Sequence, residues 1–199
     1  MNSDLPGLGI LLSGSGSTYE NLATACADGR IPARIAVVIA SRAGLGGIAR
    51  AERLGHPVVV AAETDAVSAA LRAHGARFVA MCGWLRYWDP PADFTGRVVN
   101  IHPSLLPSFG GKGMYGERVH AAVIAHGNTV SGCTAHLVAG SYDEGPILAQ
   151  ATVPVEPDDD AHGLAERVQA AERALYPLVV AALVGGTLTK RRDGRLRLA

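Results

Sequence analysis

Short apolar runs alternate along this chain with longer segments whose apolar positions recur every three or four residues. LGILLS (8–13), ARIAVVIASR (33–42), HPVVVAA (56–62) and RFVAMCG (77–83) read as strands. The unbroken apolar character of the second fits a strand buried on both faces of a parallel sheet. Between them lie helix-like stretches: YENLATACADG (19–29), GLGGIARAERLG (44–55, closed by Gly55) and a polar helix over 65–74. After VVNIH (98–102), GMYGERVHAAVIAHG (113–127) reads as a helix stopped at Gly127. TVSGCTAHLVAG (129–140) reads as a strand, and SYDEGPILAQATVPV (141–155) as a turn followed by a strand.

The last third begins with Asp158 to Asp160 at a helix start, where the macrodipole favours negative charge. Leu164, Val168 and Leu175 then form an apolar stripe, and Pro177 is expected to kink or restart the helix. TLTKRRDGRLRLA (187–199) reads as a hairpin around Asp193-Gly194. Strands alternating with helices require crossover connections. The expected fold is therefore α/β: an open, mostly parallel twisted sheet with helices on both faces, Rossmann-like, ending in a long helix and a short hairpin, as one domain over 1–199.

Composition narrows the picture. With 199 residues, 48% of them hydrophobic, the chain fills one domain well and two poorly. Lysine plus arginine (18) equals aspartate plus glutamate (18), so no global field argues for nucleic acid, and small-molecule partners are expected. The cysteines Cys26, Cys82 and Cys133 lack metal-ligand spacing and suit reduced thiols. The N-terminus lacks a basic region followed by a sustained apolar stretch, and no run approaches the ~20 apolar residues of a membrane span. A cytoplasmic protein is expected.

Candidate chemistry concentrates in VVNIHPSLLPSFGG (98–111). Asn100 and His102 are two residues apart, which places both on one face of an extended segment. An amide donor and an imidazole facing one cleft suit a reaction in which a carbonyl oxygen becomes an oxyanion. The plain alternative is a turn cap before Pro103. GSGST (14–18), between a strand and a helix start, outlines an anion site suited to a phosphate monoester, or else a plain turn. Trp84, Tyr87 and Trp88 either line a pocket for a flat heterocycle or pack under a loop. His120 and His126, six apart on a helix, are expected at the surface, and no metal site is expected there. Asp143 and Glu144 belong to a loop edge, from which a carboxylate brought back to the Asn-x-His cleft would favour the protonated imidazole. By position alone Glu172 faces water, and the basic cluster at 190–192 is a solvated edge.

The order LLSGSGST, MCGWLRY, NIHPSLLPSFGGKG, GCTAHLV, YDEGPILAQ and ERVQAAERALYP resembles the phosphoribosylglycinamide formyltransferase family across nearly the whole chain. The resemblance implies transfer of a formyl group from 10-formyltetrahydrofolate, as co-substrate, to the amine of glycinamide ribonucleotide in purine synthesis, without metal. It implies Asn100, His102 and Asp143 as the catalytic trio, with Asn100 and a protonated His102 holding the oxyanion of a tetrahedral intermediate and Asp143 raising the imidazole pKa. It assigns Gly16, Ser17 and Thr18 to the substrate phosphate and Glu172 to the ribose or glycinamide end. Leu85, Arg86, Tyr87 and Asn100 fall to the folate.

The sequence departs from the family at Thr18, where many relatives carry asparagine, and at Tyr87 and Trp88, which are bulkier than the aliphatic residues common there. The connection over 62–77 is short and offers no identifiable basic residue to the folate. Formyltetrahydrofolate hydrolase, which shares the trio, and a non-catalytic folate or nucleotide-binding module are the alternatives. Methionyl-tRNA formyltransferase would need a further domain and a basic surface. The family leaves monomer and homodimer open.

Overall fold

The computed structural model describes residues 4–190 and 196–198. Seven strands form one sheet in the order β3-β2-β1-β4-β5-β6-β7. Their ranges are β1 Gly7–Leu12, β2 Arg34–Ala40, β3 Val58–Val60, β4 Ala76–Cys82, β5 Val98–His102, β6 Val130–Leu137 and β7 Ile147–Pro154. The first five run parallel, and β6 and β7 add antiparallel edges beyond β5. The helices are α1 Ser17–Ala27, α2 Gly46–Arg53, α3 Thr64–Ala73, α4 Glu117–Ala125 and α5 Ala161–Gly185.

Every residue of β1 is buried, so its polarity does not alternate although its side chains do. Leu8, Ile10 and Leu12 pack on one face with Tyr19 and Leu22 of α1 and Val168, Tyr176 and Val180 of α5. Leu11 points to the other face, among Val67 and Leu71 of α3 and Trp84, Trp88 and Phe94. Each such fully buried large side chain contributes about 1.5–3 kcal/mol relative to exposure. The two-sided coverage accounts for the unbroken apolar runs.

Helix α5 runs through Pro177 without interruption. It is long and apolar enough to span a membrane by length and composition alone, yet Leu164, Val168, Tyr176, Val179, Val180 and Leu183 are buried in the core, where the helix packs against β5, β6 and β7, while Leu178 stays exposed. Asp160 caps it, accepting from the Gly163 amide at 2.7 Å. The Tyr176 hydroxyl lies 2.9 Å from the carbonyls of both Met81 and Val99, tying the helix to the ends of β4 and β5. Glu172, one turn earlier on the same face, is thereby fixed over the sheet. The C-terminal strands β8 Thr189–Lys190 and β9 Leu196–Arg197 pair antiparallel as expected for the hairpin. Its turn at Asp193-Gly194 lies outside the described residues, as do Arg191 and Arg192 of the basic cluster.

After β3 the chain returns across β1 to β4, so the strand order switches between β1 and β4. Clefts in such sheets open at the carboxyl ends of the strands flanking that point. Here the two loops are tied together: the Ser13 amide donates to the Gly83 carbonyl at 3.1 Å, and the Leu85 amide to Ser13 Oγ at 3.0 Å.

Candidate active site

A cavity of about 700 Å³ opens beyond the ends of β4 and β5, bounded by α4 and α5. Asn100, His102, His136, Asp143 and Glu172 all line it. The antiparallel register places Asn100 opposite His136 and His102 opposite Thr134. Strand alternation therefore presents all four side chains to one face.

The loop after β5 is pinned by this register. Thr134 Oγ1 donates to the Ser104 carbonyl at 2.6 Å and accepts from the Leu106 amide at 3.0 Å. Gln150 Nε2 donates to the Leu106 carbonyl at 3.0 Å, and Ser104 Oγ to the Ser108 carbonyl at 2.7 Å. The Phe109 carbonyl consequently reaches His102 Nε2 at 2.8 Å, which makes that nitrogen the protonated one in a neutral ring. His102 Nδ1 then faces Asp143 Oδ2 at 3.4 Å, a gap that a second ring proton would turn into a charge-assisted hydrogen bond.

Asp143 lies in the turn between β6 and β7, as expected, but its side chain faces the cleft. It sits at φ 59°, a left-handed conformation that aspartate tolerates, and its carboxylate turns inward. Gly145 holds this turn against β6, since a Cβ there would lie 1.7 Å from the Leu137 carbonyl oxygen. The Gly111 amide donates to Asp143 Oδ2 at 2.9 Å, and Oδ1 lies 3.5 Å from His136 Nε2. Burial opposes ionisation of Asp143, but the His136 contact, the nearby His102 and the Gly111 amide outweigh it and hold its pKa below the ordinary carboxylate value.

For His102 the balance runs the other way. Burial dominates and lowers its pKa, with the upward pull of Asp143 and the Phe109 carbonyl only partly offsetting it. The direction of Asp143's influence is the one expected from sequence, but its sum is not: the imidazole of the free protein is neutral at neutral pH.

His136, near the end of β6, organises the cluster. Its Nδ1 donates to the Leu137 carbonyl at 2.9 Å; in the neutral ring Nε2 then accepts from Asn100 Nδ2 at 3.1 Å, and a proton on Nε2 would be donated to Asp143 Oδ1 at 3.5 Å. This fixes the Asn100 amide with its nitrogen toward the carboxylate. The second Nδ2 proton has only a long contact, 3.4 Å to Asp143 Oδ1, and can be redirected to a stronger acceptor. The signal in the sequence was the pairing of an NIH strand with a TAH strand, invisible until the register is known.

Glu172 does not face water. It is half-buried in the cavity wall, and burial pushes its carboxyl up to about 7, with Arg173 acting only weakly in the opposite direction. His120, expected at the surface, is buried and lines the cavity, because α4 begins only at Glu117 and turns that face inward. His126 is exposed as expected.

The aromatic cluster divides. Trp84 and Trp88 are buried in the core under the sheet and also back the cavity wall, Trp88 Nε1 donating to Ser68 Oγ at 3.0 Å. Leu85, Arg86 and Tyr87 remain exposed along the cavity, where Tyr87 meets Tyr142 edge-on at 5.5 Å between centroids. None of residues 62–77 lines the cavity, and Arg72 there is committed to Asp93 at 2.8 Å.

At the far end, Thr18 lines the cavity while Gly16 and Ser17 do not. Gly16 precedes the first turn of α1 at φ 82°, and no side chain caps that helix. A Cβ at Gly16 would lie 2.6 Å from Gly47 Cα, so packing against α2 as well as backbone conformation demands glycine. The nearby cations are already matched: Arg50 and Arg53 both bind the Glu20 carboxylate, and Arg50 Nε donates to the Ser15 carbonyl at 2.9 Å. What the turn offers an anion is therefore backbone N–H groups and the helix dipole.

The cysteines are free, with Cys82 and Cys133 buried. Among the described residues no group of three or more His, Cys, Asp or Glu side chains could hold a metal ion.

A seven-stranded α/β sheet with an amide, an imidazole and a carboxylate converging at its switch-point cleft defines a class, and the formyl transferase pattern matches residues 8–180. The chain belongs to the formyl transferase family. Within it, the chain is 37% identical over 199 residues to the chloroplastic phosphoribosylglycinamide formyltransferase of Arabidopsis thaliana, covering 94% of this chain and 68% of that protein. It is 32% identical over 202 residues to phosphoribosylglycinamide formyltransferase of Haemophilus influenzae, covering 96% of this chain and 89% of that protein. The crystal structure of glycinamide ribonucleotide transformylase 1 from Symbiobacterium toebii superposes with a TM-score of 0.87 at 36% identity, covering 99% of this chain and 95% of that one.

Proposed function

We propose that this protein transfers the formyl group of 10-formyltetrahydrofolate to the amine of glycinamide ribonucleotide, giving the N-formyl product and tetrahydrofolate. The observation that carries the reading is the convergence of Asn100, His102 and Asp143 on one cavity wall, in a chain similar over most of its length to phosphoribosylglycinamide formyltransferases. In this reading Leu85, Arg86, Tyr87 and Asn100 flank the folate. Glu172 takes the ribose or glycinamide end, and the α1 N-terminus at Gly16, Ser17 and Thr18 takes the phosphate.

The chemistry follows from the side chains. The substrate amine attacks the formyl carbon, and the carbonyl π electrons move to oxygen. Asn100 stabilises the developing oxyanion with the Nδ2 proton that otherwise makes only a long contact to Asp143. The nitrogen that has formed the new bond must lose a proton. A neutral His102 accepts it at Nδ1, directly or through one water, and the resulting imidazolium is held between Asp143 and the Phe109 carbonyl. Collapse of the intermediate breaks the bond to the folate N10, and His102 returns the proton to that leaving nitrogen. The lowered imidazole pKa makes His102 a base first and an acid second. Free cysteines fit a reducing compartment such as the cytoplasm.

The test is consumption of 10-formyltetrahydrofolate with and without glycinamide ribonucleotide, followed by folate absorbance. Turnover that requires the ribonucleotide supports the transferase. Folate release without it would establish a hydrolase, and no turnover in either condition would leave a binding module.

A further inference from the structure

Two histidines close helices at their C-terminal ends, and His120, inside α4, differs from them. His74 and His126, at the C-terminal ends of α3 and α4, lie with Nδ1 at 2.9 and 2.8 Å from the carbonyl four residues back. His120 lies in the first turn of α4, where the residue four back is Gly116, at φ 56° and ψ −144°, outside the helix. Its carbonyl is not available to the ring. His120 Nδ1 is sealed from solvent without a partner, in a residue only 3% exposed. An unpaired buried polar group costs about 1–3 kcal/mol, which an apolar residue of similar size would avoid.

The ring lines the same cavity as His102 and Glu172, and α4 packs against α5, the helix that carries Glu172. Burial lowers the His120 pKa, with His102 adding to that and Glu117 opposing it, so the ring is neutral and offers one donor and one acceptor. A neutral imidazole is a poor counterpart for a phosphate dianion and a good one for a hydroxyl or an amide.

We propose that His120 is a substrate-binding residue whose ring, at the cavity wall, hydrogen-bonds an uncharged polar group, a hydroxyl or amide, of the ribonucleotide. This rests on the transferase reading given above. The contact contributes to holding the ribonucleotide and leaves the folate and the chemical step to other residues.

The experiment is steady-state formyl transfer by wild type, His120→Leu and His120→Gln, with KM measured for each substrate, alongside thermal unfolding without ligand. His120→Leu is expected to raise the ribonucleotide KM about five- to tenfold, the loss of one neutral hydrogen bond. Its folate KM and kcat stay within about twofold, and its unliganded Tm is unchanged or higher. His120→Gln, which keeps a donor and an acceptor, recovers part of the loss. An unchanged ribonucleotide KM in His120→Leu would overturn the proposal, as would a lowered Tm with both KM values rising together, the signature of a merely structural role. Wild type that fails to formylate the ribonucleotide would overturn the transferase reading and this proposal with it, whereas active wild type with an unaltered leucine variant overturns this proposal alone.

Discussion

The two ends of the cleft are built by different means. At the Asn100 end four polar side chains come from two paired strands and one turn, and each is oriented by another: Leu137 sets His136, His136 sets Asn100, and Gly111 with His136 sets Asp143. At the Gly16 end no side chain caps α1, and the adjacent arginines are spent on Glu20 and a backbone carbonyl. One end is preorganised for proton movement and oxyanion stabilisation. The other offers backbone donors and a dipole. Side chains that act on a transition state have to be held before the substrate arrives. A phosphate needs only N–H groups pointing outward.

If this division holds, substitutions at the first end reduce kcat and those at the second act through binding and stability. The largest effects are expected from His102→Asn and Asp143→Asn, each lowering kcat about 10²–10⁴-fold with little change in ribonucleotide binding measured by calorimetry. A kcat near wild type in either would remove the distinction. His136→Leu sharpens it, because His136 reaches the reacting atoms only through Asn100 and Asp143. A kcat loss of about 10–10²-fold, smaller than removal of an oxyanion donor, is expected with KM values retained. Rescue toward wild type by His136→Gln would identify the role as orientation.

Gly16→Ala places a Cβ against Gly47 Cα at a positive φ. It is expected to cost about 1–3 kcal/mol in stability, read as denaturation midpoint, and to weaken ribonucleotide binding while kcat at saturation is preserved. Glu172 adds a pH effect that is read on stability alone. Its folded carboxyl titrates at about 7 against an ordinary value of 4.5, so between those pH values the folded state keeps a proton that the unfolded state has lost. Glu172 therefore lowers stability as pH rises from about 4.5 to about 7. In Glu172→Gln that decline is removed, and the Tm difference between variant and wild type is expected to grow with pH across this window. A difference independent of pH would contradict the burial.

Periodicity was sufficient for the order and type of the elements and for the open, mostly parallel sheet, because a strand covered on both faces must be apolar throughout. It also placed Asn100 and His102 on one face. What it could not supply was register. The meeting of His136 with Asn100 depends on how two strands far apart in sequence align, and the inward turn of Asp143 depends on a left-handed residue followed by a glycine pressed on β6. The reading of His120 as a surface residue failed because helical spacing tells which residues share a face, not which face is buried. Trp84 and Trp88 were open between core and pocket for the same reason, and the structure gives them both roles, buried in the core yet backing the cleft on which Tyr87 stays exposed. The protonation state of His102 was also beyond reach, since burial and a carboxylate pull in opposite directions and only the depth of the site decides between them.

The most direct test of formyl transfer by a preorganised chemical end and a phosphate-holding end compares glycinamide ribonucleotide with its dephosphorylated nucleoside as formyl acceptors from 10-formyltetrahydrofolate. The account predicts turnover dependent on the acceptor, with similar kcat for both and a KM raised at least about tenfold for the nucleoside. Folate consumption that proceeds at the same rate without either acceptor, or equal KM values for the two, would contradict it.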